Sequence, residues 1–262
     1  MTKPPPLTRS LKRKPHFHLA GAVSGVRTGH GLARILSKLG YCSRSQAWPI
    51  IKAGRVTVDG VVRLDPEWRV ASDRQKIQVD GTSVMLERKV YLMLNKPRGL
   101  VTTAADEKGR ETVFACLESK ALPRVAPVGR LDMASEGLLL FTNDTQWAAR
   151  ITAPQTHVDK TYHVQVDSLP TDGLLEQMHA GVVCEGEKLS VKKVRALRQG
   201  EKNCWLEIVL DEGRNRHIRR LLEALDTNVL RLIRIAIGPL VLGNLGKGEF
   251  RMLTAREVSS LS

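Results

Sequence analysis

The sequence predicts an α+β protein, in which a small αα-β module leads into a larger domain built on a mixed, largely antiparallel sheet. Three observations carry this expectation. Apolar residues repeat at helical spacing in only a few short stretches, such as Leu32 to Leu39 and Ile218 to Leu225. Period-two alternation recurs along the second half, in Lys160 to Val166 and in Leu206 to Leu210. Strands and a few helices are interspersed rather than segregated. With 262 residues, 42% of them hydrophobic, the chain can bury a substantial core as one large domain or two smaller ones.

Taken in order, residues 1–30 are rich in Pro, Gly, Lys and Arg and poor in apolar periodicity. They predict a mobile basic arm, because such a segment buries too little surface to offset its chain entropy. An acid-free basic leader also suits an organelle transit peptide, although prolines at 4, 5, 6 and 15 interrupt any amphipathic helix. Residues 31–88 form the small module. Leu32, Ile35, Leu36 and Leu39 line one face of a helix, and Gly40 can end it in a left-handed cap. Ser43 with Gln46 three residues on reads as a capping box opening a second helix, with Ala47, Ile50 and Ile51 facing inward. Pro49 removes a backbone donor there, so a kink or a short helix is expected. Arg55 to Val58, Asp59-Gly60 and Val61-Val62 predict a hairpin, and Lys76 to Val79 a further strand ending at Asp80-Gly81.

Residues 89–262 form the larger domain. Val90 to Leu94 reads as a buried strand closed by the turn Asn95-Lys-Pro-Arg-Gly99. Gly137 to Thr142 is a second apolar strand, and Asn143 with Gln146 can cap a helix over 144–152. Lys160 to Val166 alternates with Tyr162, Val164 and Val166 on one side. Ile218, Leu221, Leu222 and Leu225 form a helical stripe, and Leu230 to Ile237 a strong final strand.

Charge narrows the function. The first 58 residues hold 11 Lys and Arg and no acid, so most of the formal net charge of +14 lies at one end. Such concentration, with a pI of about 10.0, predicts a polyanion-binding end; a solubilising tail is the plainer reading. Arg34, Lys38, Arg44, Lys52 and Arg55 of the small module are the candidate contacts, Arg34 and Lys38 sharing one helix face. Cys42, Cys116, Cys184 and Cys204 are too widely spaced for a zinc knuckle and fit free thiols in a reducing cytoplasm. No apolar run is long enough to span a bilayer.

Three segments could do chemistry. Val128-Gly-Arg-Leu-Asp132 places a carboxylate between Arg130 and a buried strand. A cation nearby keeps such a group ionised, ready to act as nucleophile or general base. A lone turn Asp more often bonds its own loop. Lys160-Thr-Tyr162 sets an aromatic at a strand start, and Glu212-Gly-Arg-Asn-Arg-His-Ile-Arg-Arg220 gathers five cations, counting His217, at a helix start suited to phosphate. Arg219 borders the apolar stripe and therefore needs a carboxylate partner, for which Asp132 is the candidate. Glu136 could pair with Asp132 as in a glycosidase, though beside Gly137 it reads better as a loop-closing residue.

The run Gly31-Leu-Ala-Arg34 through Lys52-Ala-Gly-Arg-Val to Val58-Asp-Gly60 resembles an S4 domain, a small RNA-binding module. The Gly-Arg-Leu-Asp run with Glu136-Gly-Leu-Leu-Leu-Phe-Thr-Asn-Asp144, the Glu212 to Leu221 run, and Asn95-Lys-Pro-Arg-Gly99 resemble a pseudouridine synthase of the RsuA/RluB-type ribosomal-RNA branch. The likeness spans roughly residues 31–258. It implies that Asp132 is the essential aspartate, Tyr162 the base-contacting tyrosine and Arg219 the aspartate's basic partner. Arg130 is expected at substrate phosphate or in the loop; Lys96, Arg98, Arg214, Asn215, Arg216 and Arg220 are further expected RNA contacts, with a solvated charged face as the alternative for the last four. The implied reaction detaches a uracil ring from C1′, turns it and rejoins it through C5. It involves no redox step and transfers no group, so no metal or organic cofactor is expected. The implied partner is ribosomal RNA, more specifically of the large subunit, or a ribosomal precursor particle, met by a cytoplasmic monomer. A non-catalytic ribosome-assembly factor, or a synthase acting on small-subunit or transfer RNA, is the competing expectation.

Overall fold

A computed structural model describes residues 29–70, 75–85, 88–117 and 122–261. Nearly all of the expected basic arm lies outside the described residues.

Helices Leu32–Lys38 and Arg44–Lys52 pack on a four-stranded sheet whose order is Val61–Val62, Val56–Val58, Ile77–Val79, Thr82–Ser83. Leu32, Ile35, Leu36, Ala47, Ile51, Val56, Val58 and Ile77 form one enclosed core. The first helix ends as expected. Gly40 takes a φ of 84°, and the N–H of Tyr41 closes on the carbonyl of Leu36 at 3.0 Å, the six-to-one bond of a Schellman motif. The Ser43–Gln46 capping box is present. The second helix runs through Pro49 and stops three residues later. Asp59-Gly60 and Asp80-Gly81 each have positive φ at both positions, the geometry of a two-residue turn that matches strand twist.

The larger domain is a nine-stranded sheet. Its main path runs Lys193–Gln199, Cys204–Leu210, Lys160–Val166, Val229–Ile237, Glu136–Thr142, Tyr91–Lys96, Phe250–Met252; Ala126–Val128 and Leu240–Val241 pair alongside. Every pairing is antiparallel but one: Val229–Ile237 meets Glu136–Thr142 in parallel, over Ile233–Glu136 and Arg234–Gly137. Strand Glu136–Thr142 is buried along its whole length because the sheet is covered on both faces there. Leu139 and Phe141 join the core beneath helices Asp172–Ala180 and His217–Glu223. Leu138 and Leu140 join the opposite core, with Trp147, Ile151 and Leu261. A strand buried on both faces reads as a continuous apolar run, and Leu138 to Phe141 is one.

Two details differ from expectation. The helix over 145–152 is capped by Asp144, which accepts from the N–H groups of Gln146 and Trp147. Asn143 instead accepts from the N–H of Val90 at 2.8 Å and donates to the carbonyl of Arg88. The strand begun at Tyr91 also runs on to Lys96, into the segment expected as a turn.

Candidate active site

The site gathers where the two halves of the sheet meet. Gly137 sits at that junction with a φ of 102°, and a β-carbon there would lie 2.3 Å from the carbonyl oxygen of Arg234. Only glycine lets the two strands approach so closely. The chain segment just before Gly137 is the loop carrying Asp132.

That loop is clasped by the segment after Tyr91–Lys96. The Lys96 ammonium, fully enclosed, donates to the carbonyls of Asp132 at 3.2 Å, Ser135 at 2.9 Å and Pro97 at 3.1 Å. The Gly99 N–H donates to the carbonyl of Met133 at 2.8 Å, and the Thr102 hydroxyl to that of Leu131 at 2.7 Å. Lys96 is therefore not available to RNA as expected; enclosure and three carbonyl acceptors make it a pin for the Asp132 loop. Burial pushes its ammonium down to about 8, against the opposing pull of Asp132 and Glu136.

A cavity of about 380 Å³ opens at this loop, lined by Asp132, Tyr162, Arg219, Arg130, Arg216 and Arg234 among others. The structure thus brings Asp132, Tyr162 and Arg219 together. Tyr162 is 9% exposed and projects from the apolar face of its strand. Arg219 comes from helix His217–Glu223, whose Ile218, Leu221 and Leu222 anchor it in the core. The expected ion pair between Arg219 and Asp132 takes a looser form. The guanidinium donates to the carbonyls of Ala134 at 3.3 Å and Val229 at 3.4 Å. Burial and neighbouring Arg216 push its pKa down, Asp132 opposes this across the pocket, and Arg98 adds to the depression. Its Nε is buried without a partner.

The other expected contacts divide by exposure. Arg34, Arg44, Lys52, Arg98, Arg130, Asn215 and Arg216 are exposed. Lys38 is half-buried, and burial followed by Arg34 lowers its pKa. Arg55 is exposed but doubly bonded to Asp80. Arg214 pairs with Glu212 at 3.0 Å and Glu187 at 3.2 Å, and Arg220 with Glu187 at 2.9 Å. These three are held by acids in the free protein.

His217, counted with the cations from sequence, belongs with the core instead. It is buried, its Nε2 lies 2.9 Å from the carbonyl of Ser190, and desolvation lowers its pKa, leaving it neutral. Glu136 is no partner to Asp132 in chemistry. It is 3% exposed, held by Arg231 at 2.7 Å and Lys247 at 2.8 Å, and the Arg231 bond leads in bringing its carboxyl down to about 2. Lys160 and Arg234 also line the cavity. Arg234 was hidden in sequence inside an apolar alternating strand.

The fold is a small αα-β module followed by a mixed-sheet domain with a cation-lined, carboxylate-bearing pocket. Its likeness to known proteins defines the class as an RNA-modifying isomerase preceded by an S4 module. The sequence model of the RNA pseudouridylate synthase family matches residues 90–224, and that of the S4 domain residues 31–75. The chain belongs to the RNA pseudouridylate synthase family. It is 40% identical over 223 residues to an uncharacterized RNA pseudouridine synthase of Rickettsia conorii, covering 85% of this chain and 95% of that one. It is 36% identical over 233 residues to the ribosomal large subunit pseudouridine synthase B of Bacillus subtilis, covering 88% and 94%. A crystal structure of a pseudouridylate synthase superposes with a TM-score of 0.63 at 28% identity, over 89% of this chain and all of that one.

Proposed function

We propose that this enzyme converts one uridine of large-subunit ribosomal RNA to pseudouridine, with Asp132 as its essential carboxylate and no cofactor. The observation that carries this reading is the convergence of Asp132, Tyr162 and Arg219 on one cavity at the seam of the sheet. A flipped pyrimidine stacks on the Tyr162 ring, which recovers about 1–3 kcal/mol of the unstacking cost. Arg219 lines the same cavity as Asp132 and braces its loop through the carbonyl of Ala134. Asp132 then either bonds to C1′ or takes the 2′ proton while the ring is free. Atoms balance without oxidant, reductant or acceptor, so no cofactor is required. The large-subunit target rests on the Bacillus subtilis relative.

Residues 31–88 act as the RNA-gripping domain and 89–262 as the catalytic domain, working as a cytoplasmic monomer on ribosomal RNA or its precursor particle. No helix among the described residues is long and apolar enough to cross a membrane. Arg34, Lys38, Arg44 and Lys52 grip phosphate in the first domain; Arg98, Arg130, Asn215 and Arg216 do so around the cavity. Arg55, Arg214 and Arg220 contribute where RNA displaces their acidic partners.

The test is to incubate the protein with unmodified large-subunit RNA and map pseudouridine by carbodiimide-blocked primer extension. Wild type should create one new stop, and Asp132→Asn none while binding RNA equally well. No stop with wild type on any ribosomal or transfer RNA would overturn the isomerase reading in favour of a non-catalytic assembly factor. A stop on small-subunit RNA alone would move the target.

A further inference from the structure

Tyr162 is flanked by two cations that none of the roles above uses. Lys160 stands two residues before it on the same strand, so both side chains project to one face. Arg234 is its cross-strand partner on Val229–Ile237, next to a bulge in that ladder between Thr161 and Tyr162. Directly opposed residues project to the same side, and bulges beside active sites re-aim side chains. All three residues line the cavity.

The fold leaves both cations short of partners. Arg234 is 5% exposed; its Nε donates to the carbonyl of Leu138 at 2.8 Å, and its Nη2 is buried with nothing to bond. Lys160 is half-buried, and among the described residues no hydrogen bond or ion pair engages its ammonium. The two carboxylates that attract it are committed elsewhere: Asp159 to Lys192 at 2.7 Å, and Asp211 facing His157 at 3.4 Å. Burial and then Arg234 lower the Lys160 pKa, while Asp159 and Asp211 oppose this. Two desolvated cations side by side are unfavourable in an empty pocket. A folded protein tolerates them where negative charge arrives.

We infer that Lys160 and Arg234 hold the negative charge that the uracil ring carries between leaving C1′ and rejoining it. This rests on the isomerase reading above. When the N1–C1′ bond breaks, its electron pair stays on N1 and spreads to the two ring carbonyl oxygens. C1′ is satisfied by bonding an oxygen of Asp132, or by loss of the 2′ proton to it. After the ring turns, C5 bonds to C1′ and Asp132 returns to its starting form. The C5 proton is exchanged for one on N1. By either route the ring is an anion for the interval, lying against Tyr162 with Lys160 and Arg234 at hand. Preorganised cations in a desolvated pocket stabilise such charge strongly.

The experiment compares single-turnover rates and RNA affinity for the full-length wild type, Lys160→Met and Lys160→Arg. Lys160→Met should slow the single-turnover step about 100-fold with RNA affinity unchanged, and Lys160→Arg should recover most of the rate. The wild-type rate should fall on the alkaline side as the ammonium loses its proton. Lys160→Arg should carry that fall to higher pH, because a guanidinium keeps its proton. An undiminished rate in Lys160→Met overturns the inference. So does weakened RNA binding with the saturated rate preserved, which would make Lys160 a phosphate contact. Should Lys160→Met fail to fold, the alkaline limb of Lys160→Arg decides: a limb that stays in place overturns the inference. A wild type that makes no pseudouridine sinks the isomerase reading itself; an active wild type beside an equally active Lys160→Met sinks only this one.

Discussion

Lys96 ends on three carbonyl oxygens with its whole side chain enclosed. Removing the ammonium strands those acceptors, at about 1–3 kcal/mol for each buried group left unsatisfied. Lys96→Met should therefore lower the melting temperature and, by freeing the Asp132 loop, reduce turnover. The pH dependence has a definite sign. The folded value of about 8 lies below the ordinary 10.5, so between them the unfolded chain binds more protons and this group adds stability as pH rises. Wild-type stability measured against Lys96→Met by urea denaturation should increase from pH 8 to 10. Glu136 carries the same sign in a more acidic window. Its folded carboxyl titrates near 2, against an ordinary 4.5. Its ion pairs are therefore fully in force above about 4.5 and lost as pH falls toward 2, on the order of 3 kcal/mol in all. Glu136→Gln should flatten the acid limb of the stability profile over that window; an unchanged limb would show that Arg231 and Lys247 contribute nothing.

Among the elements, the junction at Gly137 is the least forgiving. A β-carbon at 2.3 Å from a backbone oxygen, at a φ of 102°, cannot be relieved by a side-chain shift. Gly137→Ala should lose at least about 3 kcal/mol of stability, read as a shifted urea midpoint or as insoluble protein. The elements also differ in how plainly the sequence announces them. Local chemistry wrote the Asp-Gly hairpins, the Ser43 capping box and the alternating strand Lys160–Val166, and each was legible. Strand Lys193–Gln199 was not, because it lies at the end of the sheet path and its Lys193, Arg195 and Arg198 show no buried alternation. The cap at Asp144 was misplaced by one residue because Asn143 and Asp144 have the same capping chemistry. Only the tertiary contact of Asn143 with Val90 separates them. That Asp132, Tyr162 and Arg219 line one cavity was foreshadowed by motif resemblance. Enclosure decides Lys96, His217 and Arg234, and enclosure depends on partners distant in sequence.

For the whole molecule, the governing fact is the uneven charge. The small domain presents Arg34, Arg44 and Lys52 to solvent, whereas the basic loop before helix His217–Glu223 is partly neutralised by Glu187 and Glu212. Affinity for RNA should therefore draw its salt dependence mainly from the first domain. Replacing Arg34, Arg44 and Lys52 together by Gln should reduce the slope of log affinity against log salt by about 2–3, measured by filter binding with the full-length chain. An equal slope would place the grip around the cavity instead. The two domains also touch: the Arg124 guanidinium donates to Gln46 Oε1 at 2.6 Å, so a member of the Ser43 capping box is also a contact of the larger domain.

The parallel seam beside the cavity has a mechanical side. Two stiff antiparallel plates are joined through a ladder of just two residue pairs, Ile233–Glu136 and Arg234–Gly137. So narrow a bridge is the natural place for the plates to breathe, and the cavity opens beside it. Backbone amides at the seam should accordingly exchange with deuterium sooner than those of Lys160–Val166 in the free enzyme, and slow sharply once RNA is bound.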